Sequence, residues 1–141
     1  MSVLKFVEPL GINRSEKTVT FSDTGGGSII LFNVTGDVIV RIIPVCVEDI
    51  VADSTAPNIK LETENNDVMI ADTVAEDLVA RKLWLNTSPD NEIEPVSNIQ
   101  SYIITDGNDI VLTLDVQIDS GGIVFYCFWS PLSTNGHVES A

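Results

Sequence analysis

The amino-acid sequence predicts an all-β domain, a β-sandwich or jelly-roll-like barrel with at most one short helical turn. Short apolar runs recur along the 141 residues with turn-forming residues between them, the rhythm of an antiparallel sandwich or barrel. The apolar residues are mostly Ile, Val and Leu, which leans towards β structure because branched side chains suit a pleated surface. Near the C-terminus, GGIVFYCFW (121–129) sets seven apolar residues in a row after two glycines. In a strand, Ile123, Phe125, Cys127 and Trp129 point to one side and Val124, Tyr126 and Phe128 to the other. A strand with one wet face alternates apolar with polar, and this one does not. One face belongs against the opposite sheet. The other needs cover from a ligand, another protein, or the N-terminal segment or a loop of the same chain.

In chain order, residues 1–27 read as an N-terminal segment or arm and residues 28–141 as the sandwich domain. The first part holds Val3–Val7, a polar stretch through Lys17, then Thr18–Phe21 and three glycines at 25–27 that make a sharp or flexible connection. It is an edge strand or an arm reaching off the body. Ile29–Val34 is a strand, followed by turn chemistry at Thr35-Gly36-Asp37. Val38–Val47 is a longer strand, and Pro44 places it at an edge there or gives it a bulge, since proline cannot donate to a ladder. Ile59–Thr63 and Val68–Ile70 are shorter strands. Thr73-Val74-Ala75-Glu76 matches a capping box, which predicts one helical turn and then a strand over Lys82–Leu85. Residues 86–98 are a loop by composition. Ile99–Ile104 and Ile110–Ile118 flank Asp106-Gly107-Asn108-Asp109, the signature of a hairpin. Asp119-Ser120-Gly121-Gly122 reads as the turn into the apolar strand, and the tail from Pro131 as polar.

Composition narrows the function. Twenty-one acidic side chains stand against seven basic ones, a net charge of −14. Nucleic-acid and anionic-membrane partners are disfavoured, because their affinity comes mainly from cations that this chain lacks. No run approaches the length of a membrane span, and Glu8-Pro9 interrupts the N-terminal apolar piece before it resembles a signal peptide. Cys46 and Cys127 lie inside apolar runs and read as buried thiols rather than a disulfide.

Catalytic signatures are missing: no G-x-S-x-G, H-E-x-x-H, Walker loop or C-x-x-C occurs. His137 is the only histidine, in the polar tail, and one histidine with two buried cysteines makes a poor nucleophilic pair or zinc site. The acid clusters Glu76-Asp77 and Asp90/Glu92/Glu94 read as solvated loops before they read as paired catalytic carboxylates. Asp106–Asp109 offers oxygen ligands for calcium, but turn chemistry explains the same residues. Trp84 and Trp129 are core residues or, in a lectin-like alternative, stacking platforms for a sugar ring. No catalytic residue, cofactor or metal is expected. The surface most expected to carry function is an oligomer or partner interface of Val124, Tyr126, Phe128, Trp129 and Arg41, with help from the Val38–Val47 strand, because exposed aromatic and apolar patches mark protein contacts.

At VTGDVIVRIIPVC (34–46), IADTVAEDLVARKLWLNTSPD (70–90), ITDGNDIVLTL (104–114) and GGIVFYCFWSPLSTNGHV (121–138) the chain resembles small virion proteins of tailed bacteriophages. The likeness covers roughly residues 32–141. It implies a capsid decoration, or cement, protein: a non-enzymatic all-β module, commonly a homotrimer, made in the host cytoplasm and bound to the major capsid protein on the capsid exterior. Another virion part, such as a head-fibre base, and a carbohydrate-binding β-sandwich are the alternative readings. The Val7–Lys17 stretch would be an arm that orders on binding.

Overall fold

The structure is a computed structural model that describes residues 13–53 and 56–141. Among the described residues, nine strands form two antiparallel sheets: β1 (Asn13–Thr24), β2 (Gly27–Thr35), β3 (Val38–Val51), β4 (Asn58–Thr63), β5 (Val68–Val74), β6 (Tyr102–Ile104), β7 (Ile110–Leu114), β8 (Ile118–Pro131) and β9 (His137–Ser140). The four-stranded sheet has the order β1-β8-β3-β6 and the five-stranded sheet the order β5-β4-β7-β2-β9. Neither closes into a barrel, so the fold is an open β-sandwich. Of the connections, only that from β4 to β5 stays within its sheet; every other one crosses to the opposite sheet.

The period-2 alternation of each strand builds the core between the sheets. Val38, Val40, Ile42 and Cys46 of β3, with Ile123, Phe125, Cys127 and Trp129 of β8, are buried from one side. Ile59 and Leu61 of β4, with Ile110, Leu112 and Leu114 of β7, are buried from the other. A register shift between Ile30 and Phe32 in β2 lets the adjacent Leu31 and Phe32 both enter the core.

Several expectations are corrected. The strands on either side of Asp106–Asp109 do not form a hairpin, since β6 belongs to the four-stranded sheet and β7 to the five-stranded one. The loop is tied to other loops instead. Gly107 N–H donates to the Gly36 carbonyl at 3.2 Å, and Asp106 N–H to Asp37 Oδ1 at 3.0 Å. Residues 119–122 are not a turn either. They lie inside β8, which starts at Ile118, while β7 ends at Leu114. Glycine is required there for a different reason: Gly121 has φ +123°, and a Cβ on it would sit 2.7 Å from Ile50 Cα, where β3 passes through a bulge.

The capping box does not cap. A 3-10 turn spans Ala75–Asp77 without a side-chain cap, because Thr73 Oγ1 instead accepts the Trp84 indole N–H at 2.9 Å. Lys82–Leu85 is reduced to a single bridge, Leu83 with Val45. Its backbone nevertheless lines the edge of β3, with Trp84 N–H donating to the Pro44 carbonyl and Cys46 N–H to the Lys82 carbonyl. Pro44 keeps its place opposite Phe125 in the ladder with β8, its missing N–H turned to this edge. The tail also contains a strand: β9 pairs with β2 from Phe32–Ser140 to Thr35–His137.

Residues 13–24 form an edge strand of the sandwich, in register with β8 from Asn13–Trp129 to Thr24–Ile118. Of the stretch assigned to an arm, Asn13–Lys17 belong to β1, and Val7–Ile12 lie outside the described residues.

Candidate association face

β8 lies between β1 and β3, so its outward side chains form the middle of the outer face of the four-stranded sheet. The register decides which residues join them. Phe128 faces Arg14 on one side and Arg41 on the other; Tyr126 faces Glu16 and Ile43; Val124 faces Thr18 and Val45. Beyond β3, Ile39 faces Ile103 of β6. Ile103 is 65% exposed, Val47 52% and Ile39 37%. Tyr126, Phe128, Ile43 and Val45 are half-buried by their neighbours in the sheet, and Val124 is buried. The face turns away from the five-stranded sheet, so the core cannot account for its apolar character.

Its charges are also unlike those of the rest of the chain. Arg14 and Arg41 are two of the three arginines among the described residues, and both lie on this face. The Arg14 guanidinium stands 5.7 Å from the Tyr126 ring centroid, a cation–π distance, and 3.6 Å from Glu16. Arg41 Nε donates to Ser101 Oγ at 2.5 Å, which holds the guanidinium beside β6.

Of the five residues expected at an interface, the structure brings Val124, Tyr126, Phe128 and Arg41 together on this face. Trp129 is separated from them. It points into the sandwich at 8% exposure, donates its indole N–H to Ser15 Oγ at 3.3 Å, and meets the His137 ring edge-on with centroids 5.1 Å apart. Alternation along β8 makes this unavoidable once Phe125 and Cys127 are inside. Trp84 is fully buried, edge-on to Phe125 at 6.5 Å. Neither tryptophan offers an open ring face for a sugar. Ile103 was not expected on the face; Ile39, Ile43, Val45 and Val47 belong to the Val38–Val47 strand, which was expected to contribute to it. The signal lay in Val38–Val47, which is apolar on both sides except for Arg41 and Glu-free until Glu48.

The other groups that drew attention are held by local structure. Asp109 Oδ1 accepts the Val34 N–H at 2.8 Å, and Asn108 Oδ1 accepts the Asn65 N–H at 3.3 Å, so these two oxygens of the loop are committed to backbone. Among the described residues no group of three or more Asp, Glu, His or Cys is placed to hold a metal ion. Cys46 and Cys127 are buried free thiols. Burial pushes the Cys127 thiol up to about 12. Burial likewise raises Cys46 to about 11.

Glu92 pairs with both Arg81 and Lys82 at 3.5 and 3.6 Å. Glu94 accepts the side-chain amides of Asn98 and Asn91, which lower its pKa. Glu76 and Asp77 sit apart from these acids, on the 3-10 turn. Among the described residues no helix is long and apolar enough to cross a membrane.

No protein-family model matches this sequence, and no curated protein matches it either.

Proposed function

We propose that this chain is a non-enzymatic structural protein of a tailed-bacteriophage virion, a capsid decoration protein that binds the outer surface of the major capsid shell and stabilises it. The observation that carries the reading is the apolar, arginine-bearing outer face of the four-stranded sheet. A soluble sandwich that turns Tyr126, Phe128, Ile39 and Ile103 away from its core has a surface suited to burial against protein. The motif likeness of residues 34–46, 70–90, 104–114 and 121–138 to small virion proteins supplies the setting. A protein that binds only the assembled shell favours that shell by mass action, which needs adhesion and no chemistry. The long outer face, presented by a rigid sheet, is built for adhesion of this kind.

The test is mass spectrometry and electron microscopy of virions purified from the source that encodes this chain. The reading expects many copies per particle on the outside of the shell, lost from Phe128→Asp particles and with them resistance to heat or osmotic shock. Particles without the polypeptide, or copies confined to the interior, would overturn it.

A further inference from the structure

We infer that the cleft between β5 and β6, at the open side of the sandwich, takes the lysine side chain of an extended segment of a partner protein, whose backbone adds to the free edge of β6. This surface is separate from the outer face of the four-stranded sheet and does not depend on that face meeting a capsid shell.

The two sides of the sandwich are closed differently. On one, β1 and β9 are laced together, with Ser15 Oγ donating to the Val138 carbonyl at 2.9 Å. On the other, β6 ends the four-stranded sheet and β5 the five-stranded one. Tyr102 bridges them, its hydroxyl donating to the Met69 carbonyl at 3.0 Å. Beside this bridge opens a cavity of about 140 Å³. Met69, Tyr102 and Ile104 give it hydrocarbon walls, and Thr63, Asp67 and Asn108 bring polar atoms to it. An apolar cavity of about 150 Å³ admits benzene, so the space holds the four-carbon stem of a lysine. Next to it, among the described residues, no backbone group of Tyr102–Ile104 bonds to any strand but β3. An open strand edge beside a side-chain cavity is the arrangement by which sheets add a peptide strand. The edge takes the backbone and the cavity takes one side chain.

Charge and geometry select the side chain. Asp67 is the one carboxylate lining the cavity. Its Oδ2 accepts Thr63 Oγ1 at 3.3 Å and Asn108 Nδ2 at 3.4 Å, both neutral donors at the long end of hydrogen bonding. Both donors belong to buried residues, so the carboxylate is held at the cavity. Glu16, Glu62 and Glu92 each have a Lys or Arg nitrogen at 3.5–3.6 Å; among the described residues Asp67 has no such neighbour. An acidic side chain is repelled here, and a purely aliphatic one would cover the carboxylate without pairing it. An arginine fork needs two free carboxylate oxygens, whereas Oδ2 is already shared by two donors. The compact ammonium of lysine needs only one. The net charge of −14 draws a basic segment towards the subunit from a distance.

The experiment titrates the isotope-labelled full chain and follows its amide NMR shifts with three probes. They are a capped pentapeptide Thr-Val-Lys-Val-Thr, the same peptide with norleucine in place of lysine, and butylammonium alone. The lysine peptide is expected to shift Val68, Met69, Asn108 and the β6 amides, and to slow hydrogen exchange in β6. Norleucine is expected to weaken binding about 5-fold, the upper scale of a part-exposed ion pair. Asp67→Asn is expected to weaken the lysine peptide by a similar factor while keeping an acceptor for Thr63 and Asn108. Should that variant unfold, the norleucine peptide on wild type makes the same comparison. Butylammonium is expected to bind about 10-fold more weakly than the peptide, since it forgoes the backbone hydrogen bonds. Lysine and norleucine peptides that bind alike would sink the inference. So would shifts centred on the outer face of the four-stranded sheet, or no saturation at about 10 mM peptide. Butylammonium binding as tightly as the peptide would also overturn it, by making the cleft a site for a small free amine. None of these outcomes touches the virion assignment, which stands or falls on finding the protein on particles.

Discussion

Cys127 shows what a single residue in this fold reports. Its thiol is surrounded by the core, and burial, by disfavouring the thiolate, lifts its pKa to about 12; Cys46 rises to about 11. Both exceed the ordinary value of 9.0, so between pH 9 and these values the folded chain holds protons that the unfolded chain has lost. Stability is then full below about pH 9 and falls as pH rises from there to about 11–12. Denaturant midpoints across that range should decline less steeply in Cys127→Ala than in wild type. Native protein at pH 8 should resist a thiol reagent that labels both cysteines once urea unfolds the chain.

Asp115 has the opposite sign. The Asn58 backbone N–H donates to it at 2.7 Å and lowers its pKa. Its contribution is present above the ordinary carboxylate range and fades as pH falls through the lowered value. Asp115→Asn should therefore flatten part of the acid limb of a stability–pH curve. Burial of both cysteines was legible in the sequence because each sits within an apolar run. The acceptor role of Asp115 was not, since its donor lies 57 residues away.

At the scale of elements, β8 carries the fold. It pairs with β1 and β3 over most of its length and supplies both core and outer face. Gly121 permits this by letting the β3 bulge approach. Gly121→Ala should cost about 2–3 kcal/mol, from a left-handed φ and a blocked approach. Gly25→Ala meets no atom within 4 Å and should stay within about 0.5 kcal/mol of wild type. Chemical denaturation of the pair separates a glycine that is required from one that merely sits in a loop.

Connections behave in the same way. Asp37 joins three crossovers: its N–H donates to Ser133 Oγ at 2.9 Å, its carboxylate accepts from Asp106, and its carbonyl accepts the Leu132 and Ser133 N–H groups at 2.9 and 3.2 Å. Asp37→Ala removes only the carboxylate and should cost about 1 kcal/mol at an unchanged denaturant slope. The turn residues at 35–37 and 106–109 were visible in the sequence as turn residues. What they turn towards was not, because a strand–turn–strand pattern looks alike for a hairpin and for an arch between sheets.

Across the whole molecule, a charge of −14 acts on any encounter between copies. At about 0.01 M salt the screening length is roughly 30 Å, and at 0.15 M about 8 Å. Repulsion between whole subunits is long-ranged and is screened first. Association should therefore strengthen between those two salt concentrations, as sedimentation can measure. Weakening over the same range would mean that local charge attraction at the contact outweighs net repulsion.

The class of fold was settled by local information: branched aliphatic runs of strand length, turn residues between them, and the unbroken alternation-free stretch of 123–129 that demanded two apolar faces. Those are properties of neighbouring residues, and period-2 geometry converts them directly into faces. The tertiary structure decided which sheet each strand joins, that 119–122 is strand, that Thr73 serves Trp84 instead of a helix end, and that Trp129 lies on the inner side while Ile39 and Ile103 lie on the outer. Each of these depends on register between strands distant in the chain. A shift of one residue exchanges the two faces, and that choice is made by the packing of the whole core.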